Sequence, residues 1–94
     1  MTPEQAIYQA NRAKEVLDNE AYQLAFDQIK AEIDAQWKSS PARDVDGRER
    51  LWLMQSLLTK LQTTLQQTMD SGKLAAADLR HKQTLRERAR DLLR

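Results

Sequence analysis

The sequence predicts a small all-α protein. Its 94 residues include only two glycines and two prolines, and Ala, Leu, Gln, Glu, Arg and Lys, which lose little rotamer freedom in a helix, are abundant. Apolar residues recur at three- and four-residue steps along much of the chain. A chain this short buries only somewhat more than roughly 60% of its unfolded surface, so we expect one domain that gains stability from partners or further copies.

The first helix is predicted to start at Thr2 and to end near Leu17. Thr2 can cap the helix, Pro3 suits the first helical position, and Gln5 can return a hydrogen bond to the capping residue. Its inner face would be a thin apolar stripe formed by Ala6, Ala10, Ala13 and Leu17.

The second helix is predicted to follow two candidate caps, Asp18 and Asn19, and to run through Lys38. Residues 39 to 45 break the helical period, and Pro41 disfavours helical geometry in the residue before it. The apolar stripe of this helix consists of Tyr22, Phe26, Ile29, Ile33 and Trp37.

The third helix is predicted to open with Asp46 as cap and Glu49 three residues later, a capping-box spacing, and to end at Gly72. Leu53 and Leu57 widen its apolar stripe, so we expect its first half to be buried on two sides. The stripe should face that of helix 2 in an antiparallel helical hairpin. Its members are Leu51, Met54, Leu58, Leu61, Leu65 and Met69.

A fourth, basic helix is predicted from Leu74 to Arg94. Residues 1 to 79 carry nine basic and twelve acidic side chains, giving −3, whereas residues 80 to 94 carry six basic and two acidic, giving +4. The expected organisation is therefore an acidic helical body, 1–79, and a basic C-terminal helical tail, 80–94, within a single domain.

Little in the sequence indicates catalysis, and we predict no enzyme activity, cofactor or metal. The chain has no cysteine and one histidine, His81, which lies between two basic residues and is expected to be an ordinary exposed side chain. Glu32 with Asp34, or Asp44 with Asp46, offers oxygen ligands without the rest of a known cation loop. The N-terminus lacks the features of a signal peptide, and no stretch approaches the ~20 apolar residues that span a bilayer, so we expect a soluble protein.

Trp52 lies away from the apolar seam of helix 3 on a helical wheel. It either covers the linker and helix 1 or serves as an anchor for a partner, a role in which tryptophan is enriched. The last helix offers a second candidate partner surface, an apolar row of Leu85, Ala89 and Leu92.

Basic residues in the last helix could contact phosphates or an acidic partner, although a solvated charged helix is the simpler interpretation. No aromatic platform for single strands and no helix-turn-helix pattern accompanies them. The residues concerned are Arg80, Lys82, Arg86, Arg90 and Arg94.

Two segments carry a resemblance to a known group of proteins. Residues 37 to 54 contain an aromatic residue, a Pro-Ala-Arg-Asp linker and an Asp-Gly-Arg-Glu helix cap, followed by the start of a Leu-rich helix. Residues 68 to 75 contain a Gly-Lys pair at the predicted end of that helix. Over about residues 15 to 76 the chain resembles small helical proteins of tailed bacteriophages, encoded near genes for virion structure and DNA packaging and generally of unassigned function. The resemblance implies a phage setting and transfers no catalytic residue.

These observations favour a non-enzymatic phage protein associated with virion assembly that binds another structural protein in multiple copies. It would lie in the host cytoplasm during assembly or in the virion. Two alternatives stay open: a nucleic-acid-associated packaging or regulatory factor that uses the Arg-rich tail, and a small inhibitor of a host protein. None of them involves a membrane.

Overall fold

The computed structural model describes residues 1–93, and these residues form three α-helices and no β-strand. Helix α1 spans Pro3–Leu17, α2 spans Glu20–Ser39 and α3 spans Val45–Leu92. The predicted all-α class is therefore confirmed. The predicted number of helices is wrong, because one helix of 48 residues takes the place of the expected third and fourth helices.

The N-termini of α1 and α2 are capped as the sequence predicts. The Gln5 amide donates to Thr2 Oγ1 over 3.2 Å, and the Thr2 amide donates to Gln5 Oε1 over 3.0 Å, which is a reciprocal capping box. At the start of α2 the Tyr22 amide donates to Asn19 Oδ1 over 2.9 Å. Both caps satisfy amides that have no partner inside the helix.

The start of α3 differs from the prediction by two residues. Asp44 is the cap instead of Asp46, because its Oδ1 accepts a hydrogen bond from the Gly47 amide over 3.1 Å and the helix begins at Val45. Asp46 lies inside the first turn, where its negative charge still interacts favourably with the helix dipole. The connection from α2 is correspondingly short, residues 40 to 44.

The predicted helix end at Gly72 does not exist, and α3 continues through it to Leu92. Gly72 does not adopt a positive φ, so it makes no left-handed turn. It lies instead where α1 comes closest, because a Cβ on Gly72 would overlap the Ala10 Cβ and come within 3.0 Å of the Ala6 carbonyl oxygen. Gly72 therefore allows α1 and α3 to pack closely and does not end α3.

The chain divides into two compact units, which we describe separately. Unit 1 comprises Met1–Lys14 and the described residues from Leu65 onward, and unit 2 comprises Glu15–Thr64. The predicted division into a body, 1–79, and a tail, 80–94, rests on charge and stays a prediction; α3 passes residues 79 and 80 without a break.

Few apolar residues are buried. In the described part of the chain they are Ala13, Ile33 and Leu51. The predicted inner stripe of α1 is confirmed, since Ala13 is buried and Ala6, Ala10 and Leu17 are half-buried.

The expectation that the first half of α3 is buried on two sides is wrong. Leu53 is 54% exposed and Leu57 is 70% exposed. Helix α3 packs mainly against α1, so the predicted hairpin of α2 and α3 is not confirmed and stays a prediction.

Candidate protein-interaction surfaces

Trp52 is the more exposed of the two tryptophans. It lies on α3, is 59% exposed, and lines a shallow depression with Gln55, Ser56 and Thr59. The rest of the chain therefore leaves more than half of this residue's surface uncovered, and both roles predicted for it, covering the linker and helix 1 or contacting a partner, stay predictions.

Trp37 has a different environment, which the sequence did not predict. The Arg48 guanidinium carbon lies 4.2 Å from the centroid of its indole ring, a cation–π geometry. Trp37 is at the end of α2 and Arg48 is in the first turn of α3. The contact therefore joins these two helices within unit 2.

An exposed apolar row follows the last turns of α3, in unit 1. Leu85 and Ala89 are one helical turn apart and Leu92 follows three residues later, so the three share one face of a continuous helix. Leu92 is 86% exposed, and Leu85 and Ala89 are also exposed. This row belongs to unit 1, whereas Trp52 belongs to unit 2.

The predicted basic residues of the tail are likewise exposed. Arg86 and Arg90 are one turn apart, and their face lies beside the row that starts at Leu85. Arg94 was also predicted to contact phosphate, and it lies outside the described residues. The exposed members are Arg80, Lys82, Arg86 and Arg90.

An open apolar groove in unit 2 was not predicted. It has a volume of about 360 Å³. Ile33 is buried in it, whereas Leu57 is largely exposed and Met54 about half exposed. The groove is lined by Ile29 and Ile33 of α2 and by Met54, Leu57, Leu58 and Leu61 of α3.

Five of the six groove residues belong to the stripes that were predicted to face each other. The open groove beside them was not predicted. One signal was available in the sequence. Residues 51 to 64 contain a single charged residue, Lys60, whereas a solvated helix face normally carries charged side chains.

The acidic residues and the histidine considered in the sequence form no cluster of metal ligands in the described part of the chain. No three His, Cys, Asp or Glu side chains lie close enough together to hold a metal ion between residues 1 and 93. His81 is exposed, Asp44 acts as a helix cap, and Glu32 accepts a hydrogen bond from Gln28 Nε2 over 3.4 Å. In the same part of the chain, no helix has the length and apolar character needed to cross a membrane.

Comparison with protein-family models, with curated protein sequences and with solved structures finds no match to this chain. The function of this chain is therefore inferred from the exposed surfaces of α3 and from the resemblance over about residues 15 to 76.

Proposed function

We propose that this chain is a non-enzymatic helical protein of a tailed bacteriophage that binds another structural protein during virion assembly. The observation that carries the proposal is the amount of exposed apolar surface. Trp52 is 59% exposed and Leu92 is 86% exposed, while Ala13, Ile33 and Leu51 are the buried hydrophobic residues of the described chain. Leu85, Ala89 and Leu92 form an exposed row on one face of α3, and contiguous apolar surface of this kind commonly marks an interaction site.

The two partner surfaces have different roles in this proposal. Trp52 is the anchor, since a large, rigid aromatic side chain gains much contact area at little cost in conformational entropy. The row of Leu85, Ala89 and Leu92 is a helix face that docks into an apolar groove of the partner.

The phage setting rests on the resemblance over about residues 15 to 76, and it places the protein in the host cytoplasm during assembly or in the virion. The proposal retains the antiparallel pairing of α2 and α3. Two contacts support this pairing: the Arg48 guanidinium lies over Trp37, and side chains of both helices line the groove.

The test is sedimentation of the full chain, tagged at its N-terminus, with phage particles and assembly intermediates in an infected lysate. We expect the wild-type chain to sediment with particles. Because anchor residues commonly contribute 2 kcal/mol or more, Trp52→Ala and Leu85→Asp should each weaken the association more than about tenfold.

Leu24 provides the matched control, since it is 64% exposed on α2 and lies outside both proposed partner surfaces. Leu24→Ala and Leu24→Asp should sediment as the wild type does. Recovery of the wild-type chain only at the top of the gradient contradicts the proposal, and so does particle association that both Trp52→Ala and Leu85→Asp leave intact.

A nucleic-acid-associated function is the second candidate, and the exposure of Arg80, Lys82, Arg86 and Arg90 favours it. Each phosphate contact contributes about −0.9 to the slope of log K against log salt for duplex DNA. Arg86→Gln with Arg90→Gln should therefore flatten that slope, whereas Lys60→Gln should not. Absence of DNA binding by the wild-type chain at low salt excludes this function.

A further inference from the structure

The groove of unit 2 is too apolar and too open to be an ordinary solvated surface. All six of its lining residues are Ile, Leu or Met. Leu57 is 70% exposed, and Met54, Leu61 and Ile29 are each exposed over more than two fifths of their surface. Single exposed apolar residues are normal, but a contiguous group of them beside a groove marks a surface that a partner covers.

The chemistry of the groove favours a partner with an uncharged surface. Charged residues make up 31% of the chain, yet residues 51 to 64 contain only Lys60, which does not line the groove. The other polar residues of this segment are Gln, Ser and Thr. Depletion of charged residues, enrichment in Met and a more apolar composition are typical of the core of an interface.

We propose that the occupant of this groove is the same groove of a second copy of this chain, in a symmetric homodimer. In a two-fold symmetric contact each residue near the axis meets its own counterpart or a close neighbour, so charged residues there would face like charges. A face of Leu, Met and Ile avoids that repulsion. The exposed Leu57 and Leu61 side chains of one copy enter the groove of the other.

Four helices surround the core of this dimer, because each copy contributes α2 and the first half of α3. Four-helix packing of this kind is a common way to bury an apolar stripe that two helices leave partly exposed. Ile33 is already buried within one copy; the second copy adds the burial of Leu57, Met54, Leu61 and Ile29.

The accessible surface of the chain is large enough for such an interface. It measures 7827 Å², about 2,200 Å² more than the roughly 5,600 Å² expected for a folded monomer of 10.9 kDa. A stable protein interface needs about 800 Å² from each partner. The excess exceeds this requirement, so a single copy exposes enough surface for such an interface.

The first test is the molar mass of the full chain by light scattering during size exclusion, over a dilution series. We expect the mass of a dimer that dissociates on dilution. Leu57→Asp should raise the dissociation constant more than about tenfold, because it places a charge at the centre of an apolar interface. Its helix content should be unchanged, since Leu57 is largely exposed in the single copy.

The control is Leu24→Asp, the same substitution at an exposed leucine of α2 that does not line the groove. It should leave the dissociation constant unchanged. A wild-type chain that is monomeric at every concentration overturns the proposal. A dimer that Leu57→Asp does not weaken overturns it as well, because the interface then lies elsewhere.

A second measurement uses the absence of native cysteine. A thiol introduced by Leu57→Cys should react with a maleimide more slowly as the protein concentration rises, whereas one introduced by Leu24→Cys should react at a constant rate. Equal and concentration-independent rates overturn the proposal. The dimer is independent of the proposed particle binding, because Trp52 and Leu85 do not line the groove. Leu57→Asp therefore tests the dimer, and Leu85→Asp tests the particle binding.

Discussion

The two units of this protein pack their helices in opposite ways. In unit 1 the contact is made by small residues, and Gly72 lies so close to Ala10 that a single added methyl group has no room. The hollow between the two helices there measures about 160 Å³. In unit 2 the buried apolar residues are large, Ile33 and Leu51, and a groove of about 360 Å³ stays open beside Ile33.

This difference shows that close approach and apolar burial are separate sources of stability. Unit 1 gains from van der Waals contact between backbones that small side chains allow to come near, and it has little room to accept a larger residue. Unit 2 gains from the removal of large apolar side chains from water, and it leaves many of them incompletely covered. A change of side-chain size should therefore act in opposite directions in the two units.

The largest effect is expected from removing apolar volume in unit 2. Ile33 is 3% exposed, so Ile33→Ala should lower the free energy of unfolding by about 2–5 kcal/mol through lost burial and the cavity left behind. Leu24→Ala, on the same helix at an exposed position, should change it by less than about 0.5 kcal/mol. Urea unfolding followed by circular dichroism measures both, and equal effects would show that Ile33 is not part of a core.

An intermediate effect is expected from adding volume in unit 1. Gly72→Ala should lower the free energy of unfolding by about 1–3 kcal/mol through overpacking. Alanine is favoured over glycine inside a helix by about 0.5–1 kcal/mol, so helix propensity alone predicts the opposite sign. Ser71→Ala, at the exposed neighbouring position, is the control, and thermal unfolding distinguishes the two predictions.

The compensating change on α1 makes this test sharper. Ala10→Gly removes the methyl group that a Cβ on residue 72 would overlap. Combined with Gly72→Ala, it should recover most of the lost stability, less the cost of about 1 kcal/mol for a glycine inside α1. If the double variant is no more stable than Gly72→Ala alone, the close approach of α1 and α3 is not at this position.

The smallest effect is expected at the helix cap, which lies in unit 2 but depends neither on side-chain volume nor on apolar burial. Asp44→Ala should lower the free energy of unfolding by about 1 kcal/mol, the usual value of an N-cap. Asp44→Asn should leave the free energy of unfolding nearly unchanged, because its side-chain amide oxygen can still accept the hydrogen bond from the Gly47 amide. Asp46→Ala should lower the free energy of unfolding by only about a few tenths of a kcal/mol, through the helix dipole. A larger decrease for Asp46→Ala than for Asp44→Ala would indicate that Asp46 is the cap.

Much of the helical structure could be predicted because helix starts are encoded locally. The pairs Thr2 with Gln5 and Asn19 with Tyr22 are three residues apart, and their hydrogen bonds follow from that spacing alone. The start of α3 was misassigned because two aspartates, Asp44 and Asp46, both precede plausible first turns. Only the hydrogen bond from Gly47 to Asp44 decides between them.

The length of α3 could not be predicted, because the meaning of Gly72 is not local. A glycine after an apolar stripe indicates a helix end when it adopts a positive φ, but the same residue inside a helix allows a neighbouring helix to come close. The sequence contains Ala6 and Ala10 far from Gly72, and nothing in the residues around position 72 shows that they meet.

The candidate surfaces were predicted only in part for a similar reason. Apolar periodicity identifies the residues of α3 that are expected to be buried. The pattern is the same whether they are buried against this chain or against another one. Leu57 was therefore expected to be buried and is 70% exposed. Trp52, for which cover of the linker and contact with a partner were both left open, is 59% exposed.

Both tryptophans of the chain, Trp37 and Trp52, lie in unit 2, whereas unit 1 contains none. Intrinsic indole fluorescence is therefore a native reporter of unit 2 alone, while the peptide absorption that circular dichroism records comes from both units. Because the two units differ in how they are packed, their fluorescence and dichroism melting curves need not coincide. A difference between the two midpoint temperatures indicates that the two units unfold at different temperatures. No label has to be added to the protein for this measurement.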